Sequence, residues 1–434
     1  MPAAGGERAA WTGWAAAAKI GSVGGRPALF ALLRLKDLRA FLVSAALASF
    51  AENALAVVLG VHVYALTHDA FALGVLGLVE AIPAIGLVLV GGHVADRTSR
   101  LRAAVAARGA MAVLAALLAL TAGSGLALFY GIAFCIGAVR AFEDPAVTGL
   151  EAEILPRGER MMNAVSLVAS VGRIAGLAGP VLGGFAYEYA GPMPTFVVVA
   201  VMLSLSAAAL PLGIAGRPAP PPGEVGALAA IGAGLRYVFR SQIIVGSMAL
   251  DLFAVFFGGV AVLLPAFAEA RLGEGPAAVG LLRAAASAGA LAAMLVATRY
   301  PPRARAGLAL HLAIAGFGVG IIVFGFSRDL WLCMAALAFA GACDGISVIV
   351  RRAIVRIAAP DALRGRVAAV RGLFLNASNE LGAFESGMAA ALLGIAPAVW
   401  AGGLVTLAVV AVTAWRAPEL RRLDLTKYAK DHPG

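Results

Sequence analysis

Nine ionisable side chains interrupt long apolar runs of this chain: Glu52, Glu80, Arg140, Arg173, Asp251, Arg283, Asp344, Glu380 and Glu385. A charge held at the middle of a bilayer costs about 2.5–3.5 kcal/mol. Nine of them facing lipid would be prohibitive, so they must pair with one another, face the interior of a bundle or line a wet cavity. Glu143 and Asp144 follow Arg140 by three and four residues, on its own helical face, where they can neutralise it locally. Groups of this kind carry protons or hold charged solutes. Cys135, Cys333 and Cys343 lie inside apolar runs without metal-ligand spacing, which supports neither a disulfide framework nor a zinc site. The chain has no Gly-x-x-x-x-Gly-Lys-Ser/Thr loop either, so transport powered by ATP is not expected. The chemistry predicted is translocation, with no catalytic residue, no cofactor and no metal.

The elements that must position these charges are set by composition. The 434 residues are 61% hydrophobic and 13% charged, with a mean hydropathy of +0.91. That leaves too little polar side chain to cover a soluble fold of this size. A bilayer span needs roughly 20 mostly apolar residues. About twelve such runs lie near 40–66, 70–94, 101–122, 124–146, 163–187, 192–214, 243–268, 276–298, 305–326, 329–350, 366–392 and 395–416. Backbone polar groups cannot stay unpaired in hydrocarbon, so each run is predicted to be a helix. The expected fold class is an all-α polytopic membrane protein of two pseudo-symmetric six-helix bundles.

The net charge of +10 does not mark a nucleic-acid binder, because the basic residues punctuate apolar runs rather than cluster in one module. They fall on one face. Arg34, Lys36 and Arg39 are followed there by Arg97, Arg100 and Arg102, by Arg157 and Arg160, and by Arg217, Arg236 and Arg240. Arg299, Arg303 and Arg305 come next, then Arg351, Arg352, Arg356, Arg364, Arg366 and Arg371. The opposite face has only Arg271 and Arg328. The positive-inside rule therefore predicts cytoplasmic termini and a multi-pass protein of a bacterial inner membrane. Expected divisions are a cytoplasmic tail over 1–37, a bundle over 38–214, a proline-rich linker with an amphipathic segment over 215–242, a bundle over 243–416 and a tail over 417–434.

The bundles read as copies of one unit. Residues Gly77 to Gly86 align with Gly280 to Gly289 at an offset of 203, which sets Glu80 against Arg283. Gly137-Ala-Val-Arg140 aligns with Gly341-Ala-Cys-Asp344 at 204, and Glu52 lies near Asp251 at 199. Repeats of this length mark two-fold transporters with the site at the repeat interface. Opposite charges at equivalent positions (Glu80 with Arg283, Arg140 with Asp344) predict salt bridges across the halves that form in one conformation and break in the other.

Between the second and third spans the chain reads Gly91-Gly92-His93-Val-Ala-Asp96-Arg97-Thr-Ser-Arg100. This resembles the signature loop of the major facilitator superfamily, and implies a cytoplasmic gate made by Gly92, Asp96, Arg97 and Arg100. In the fifth span Gly179-Pro180-Val-Leu-Gly183-Gly184 is similar to a motif of the superfamily's proton-coupled drug exporters. Segments starting at Asp251, Gly280 and Arg364 resemble the branch containing enterobactin-type siderophore exporters. The resemblance covers nearly the whole chain from about residue 38. It implies a monomeric, proton-coupled exporter of a small organic molecule working by alternating access. Its first, fourth, seventh and tenth helices line the path, which carries over to Glu52, Arg140, Asp251 and Asp344. Either Glu52 or Asp251 then exchanges protons, and Arg140 tunes that acid or binds an anionic substrate. Glu80, Arg173, Arg283, Glu380 and Glu385 are expected as interhelical charges. A lysophospholipid transporter of the same fold is the alternative. A membrane-embedded transferase is remote, since no sizeable loop carries an acidic metal-binding cluster.

Overall fold

The computed structural model describes residues 32–156, 160–215, 227–300, 302, 304–358 and 361–426. Most of the expected N-terminal tail, the proline run 216–223 and the last eight residues lie outside the described residues, as do the side chains of Asp96, Arg364 and Arg366.

Six long helices form the first half: α1 (Lys36–Thr67), α2 (Ala70–Arg97), α3 (Arg100–Leu120), α4 (Leu126–Ile154), α5 (Arg160–Ala190) and α6 (Pro192–Gly213). A linker helix, α7 (Ala227–Arg240), buries Val238 and exposes Arg236, Phe239 and Arg240. The second half contains α8 (Gln242–Gly258), α9 (Pro276–Arg299), α10 (Ala306–Phe326), α11 (Leu330–Ala358), α12 (Asp361–Leu393) and α13 (Ile395–Arg416). Several helices outrun the hydropathy windows, for example α4 to Ile154 and α11 to Ala358. They continue as helix past those windows, towards the arginine-bearing end.

Among the described residues, eleven spans are long and apolar enough to cross a bilayer on their own terms. The exception is α12, whose 33 residues include Arg371, Glu380 and Glu385. It packs along α2 and α8, so it takes its place through neighbours rather than through hydropathy. The seventh span is broken. After Gly258 it passes through a 3-10 turn (Val260–Leu263), a short helical turn holding Pro265 (Leu264–Phe267) and a π-turn (Ala268–Leu272). The glycine pair Gly258-Gly259 and Pro265, which has no amide hydrogen, account for the break.

Packing repeats between the halves. In the first, α1 lies against α5 and α6, α2 against α4, and α3 against α4 and α6. In the second, α8 lies against α12 and α13, α9 against α11, and α10 against α11 and α13. The contacts between halves, α5 on α9 and α2 on α12, exchange under the same two-fold. Even the turns correspond. Gly191 (φ 83°) and Gly394 (φ 90°), 203 residues apart, reverse the chain after α5 and α12 in a conformation that glycine adopts without strain.

The halves meet at the arginine-poor end. There Gly74 and Gly77 of α2 abut Gly387 and Ala383 of α12, while Gly184 of α5 packs on Pro276 and Gly280 of α9. Only a missing Cβ permits such backbone approach. Towards the arginine-rich end the seam between α5 and α9 opens: a Cβ added at Gly172 or Gly176, on the same face of α5 as Pro180 and Gly184, would meet nothing within 4 Å among the described residues. The structure is thus closed at one end of the half-to-half interface and parted at the other.

Candidate functional site

Close backbone contact brings the charges together. Gly137 of α4 sits against the Glu80 backbone of α2, and Gly91 of α2 sits against Ala141. At that separation Arg140 Nη1 reaches Glu80 Oε2 at 3.0 Å. Around the same guanidinium stand the carboxylates of Glu52, Glu380 and Asp144. Arg283 of α9 faces both Arg140 and Glu80. Five of the predicted residues, on α1, α2, α4, α9 and α12, therefore share one region between the halves.

A second cluster lies deeper in the first half. Arg108 of α3 bonds Glu143 Oε1 at 3.3 Å, with both side chains at least nine-tenths buried. It also donates to Ser206 Oγ at 3.1 Å and to Ser44 Oγ. Those two hydroxyls join α1 to α6, Ser44 donating to the Ser206 carbonyl at 2.6 Å and Ser206 to the Ser44 carbonyl at 2.8 Å. Glu52, Arg108, Glu143 and Asp144 line a cavity of about 210 Å³. Glu52 itself is half-buried and makes no ion pair among the described residues.

The second half uses a different arrangement. Arg351 of α11 is buried and pairs with Asp251 of α8 and, at 3.4 Å, with Asp344 two turns earlier on its own helix. Its Nε also bonds the Ser347 carbonyl at 3.2 Å. Asp251, Asp344, Ser287 and Asn379 line a largely apolar cavity of about 360 Å³ that also includes Phe317. Arg173 of α5 is exposed at the parted end and faces Asp344 from across the interface.

In this conformation the ion pairs form within each half: Glu80 pairs with Arg140, and Asp344 with Arg351. Close packing of α2 on α4 brings the first pair together, and two turns of α11 separate the second. Of the two acids expected to neutralise Arg140 locally, Asp144 stands beside it, while Glu143 pairs with Arg108. Arg351, counted from the sequence among face-marking arginines, is 3% exposed because Asp251 draws it inward. Glu385 stays apart from these clusters, half-buried with no ion pair among the described residues.

The expected gate is described in part. Gly92 lies at the end of α2 in open space, Arg97 is exposed, and Arg100 pairs with Glu153 at 3.2 Å and donates to the Gly149 carbonyl at 3.1 Å. The Asp96 side chain lies outside the described residues. The exporter-like motif divides between two seams. Gly179 and Gly183 pack on Asn53 and Ala54 of α1, inside the first half, whereas Pro180 and Gly184 face α9 across the interface.

Sequence reasoning missed Arg108. It stands in the third apolar run, where snorkelling and pairing look alike. One signal points to it: the repeat offset of 203 carries Arg108 onto His311, and both are buried.

Comparison with known proteins places this architecture. The family model described as "transmembrane secretion effector", a branch of the major facilitator superfamily, matches residues 28–433. The chain is 28% identical over 390 residues to the enterobactin exporter EntS of Shigella boydii serotype 18, covering 86% of this chain and 89% of that protein. The EntS proteins of Escherichia coli O157:H7 and Escherichia fergusonii match with the same identity and coverage. Among solved structures, a POT family transporter in complex with 5-aminolevulinic acid aligns with a TM-score of 0.71 at 12% identity, over 88% of this chain and 96% of that one. A bacterial homologue of the human lysosomal transporter Spinster, in an inward-facing and unoccupied conformation, aligns with a TM-score of 0.66 at 15% identity, over 91% and 97%. At these identities the solved structures speak for the fold.

Proposed function

The chain belongs to the transmembrane secretion effector family of the major facilitator superfamily, and on that premise we propose that it is a proton-coupled exporter of a small organic molecule working by alternating access. The observation that carries this reading is Glu52. It is a carboxylate on α1, in a cavity with Arg108, Glu143 and Asp144, and has no ion-pair partner of its own among the described residues. Both neighbouring arginines are already engaged, Arg108 by Glu143 and Arg140 by Glu80. A desolvated acid without a fixed counter-charge is suited to taking and releasing a proton. Asp251, the other candidate, is held by Arg351 and serves better as part of a structural pair. The interface parted on the arginine-rich side is suited to loading from the cytoplasm, with both termini there and the Asp96 loop as gate. Similarity to the enterobactin exporters supports an exported siderophore or drug-like compound, carried by a monomer.

Proteoliposomes with an internal pH dye and an imposed pH gradient test this. Enterobactin, a macrolide, a cationic dye and a lysophospholipid are added in turn to wild type, Glu52→Gln and Asp251→Asn. A compound that dissipates the gradient through wild type and not through Glu52→Gln supports the proposal. Movement of a compound without protons would overturn the coupling, and movement of the lysophospholipid alone would favour a lipid transporter.

A further inference from the structure

Among the described residues the closed end carries two polar side-chain contacts between the halves, Glu188 with the Ala277 amide and His68 with Glu269, and only the first caps a helix. Pro180, Gly184 and Glu188 lie four residues apart on one face of α5. The first two meet α9 through backbone: Gly280 packs on the Pro180 carbonyl and Gly184 on the Pro276 carbonyl. The third meets it through charge. Glu188 Oε2 accepts the Ala277 amide hydrogen at 2.8 Å, in the first turn of α9. The first amides of a helix have no partner within it, and their partial positive charge favours a carboxylate. Pro276 has no amide hydrogen, so Ala277 presents the next free donor of this turn.

Gly275 makes room for the contact. A Cβ there would stand 2.7 Å from Glu188 Oε2 and 3.2 Å from its Cδ. Its φ of −86° is open to any residue, so the glycine is required by the carboxylate and not by the turn. The other seam, α2 on α12, closes through Gly74, Gly77, Ala383 and Gly387, with no such cap among the described contacts. Nearby, exposed His68 and Glu269 lie 2.9 Å apart across the first and seventh spans.

We propose that Glu188 is the latch of the arginine-poor mouth: its carboxylate docks on the N-terminus of α9 and sets how often the two halves part at that end. The inference rests on the alternating-access reading above. For an acid at an exposed rim, the contact is worth about a fivefold bias towards the closed mouth.

The test reads the mouth directly. Spin labels at Leu120→Cys on α3 and Leu392→Cys on α12, both strongly exposed at that end, are placed in a Cys135→Ser background in lipid nanodiscs, and distances are measured by pulsed electron resonance. Cys333 and Cys343 are buried and stay unlabelled. Wild type is expected to show a dominant short distance and a minor long one. Glu188→Ala should raise the long-to-short ratio about fivefold, and Glu188→Gln, which keeps an acceptor but loses the charge, about twofold. Gly275→Ala, on the other half, should act like Glu188→Ala. The double variant should add nothing further, because both changes remove one contact. Two populations whose ratio ignores Glu188, or effects that simply add, overturn the latch alone. A single fixed distance in every protein overturns alternating access as well.

Discussion

In the first half, two arginines stand against a larger set of carboxylates: Arg108 with Glu143 and Arg140 with Glu80, leaving Glu52 between them. In the second half one arginine, Arg351, is shared by Asp251 and Asp344. The repeat relates Arg140 to Asp344 and sets Asp251 one helical turn from the counterpart of Glu52, so neighbouring positions of the repeat have been given different counter-charges. A buried acid tied to a buried arginine is expensive to disturb and poorly suited to changing its charge during a cycle. Under the proposed function, this contrast is the reason for placing proton exchange in the first half and a fixed scaffold in the second.

Breaking the most enclosed pair should cost most. Arg108→Ala strands Glu143 and the Ser44–Ser206 pair, and should lower stability by about 3–5 kcal/mol, read as earlier thermal unfolding in detergent. Replacing Arg108 and Glu143 together with Met should recover most of the loss, since no lone charge remains. Arg351→Met comes next, at about 2–3 kcal/mol. There the rescue should be lopsided. Adding Asp251→Asn should recover more than adding Asp344→Asn, because the side chains are 7% and 45% exposed respectively. Equal rescue would erase the proposed role of Asp251 as the buried anchor. Arg140→Gln sits lower still. Its side chain is 31% exposed, so the loss should stay near 1 kcal/mol or below, while flux through vesicles falls because the shared central region loses its cation. Glu52→Gln should hardly alter unfolding at all, since no partner is left behind.

Much of this architecture is legible in the order of the residues. Hydropathy places the spans, and the 203-residue repeat, visible in Gly77 to Gly86 against Gly280 to Gly289, foretells a packing that exchanges under a two-fold. The charges inside apolar runs point to a common region, and Glu52, Glu80, Arg140, Arg283 and Glu380 meet there. Partner choice is not legible. Arg108 and Arg351 look like snorkelling residues until helix packing brings Glu143 and Asp251 beside them. Nor does sequence reveal that neighbouring motif residues serve different seams. Gly183 faces α1 and Gly184 faces α9, because adjacent positions on a helix point about 100° apart.

The most direct test of the difference between the halves separates driven transport from exchange. Using the compound that the vesicle experiment identifies, gradient-driven flux and gradient-free counterflow are measured side by side in proteoliposomes. Glu52→Gln is predicted to abolish driven flux while keeping counterflow, because the carrier still alternates but no longer couples to protons. Asp251→Asn is predicted to lower both in proportion to the amount of folded protein. Driven flux that survives in Glu52→Gln, or the uncoupled pattern appearing in Asp251→Asn instead, would contradict the assignment of proton exchange to the first half.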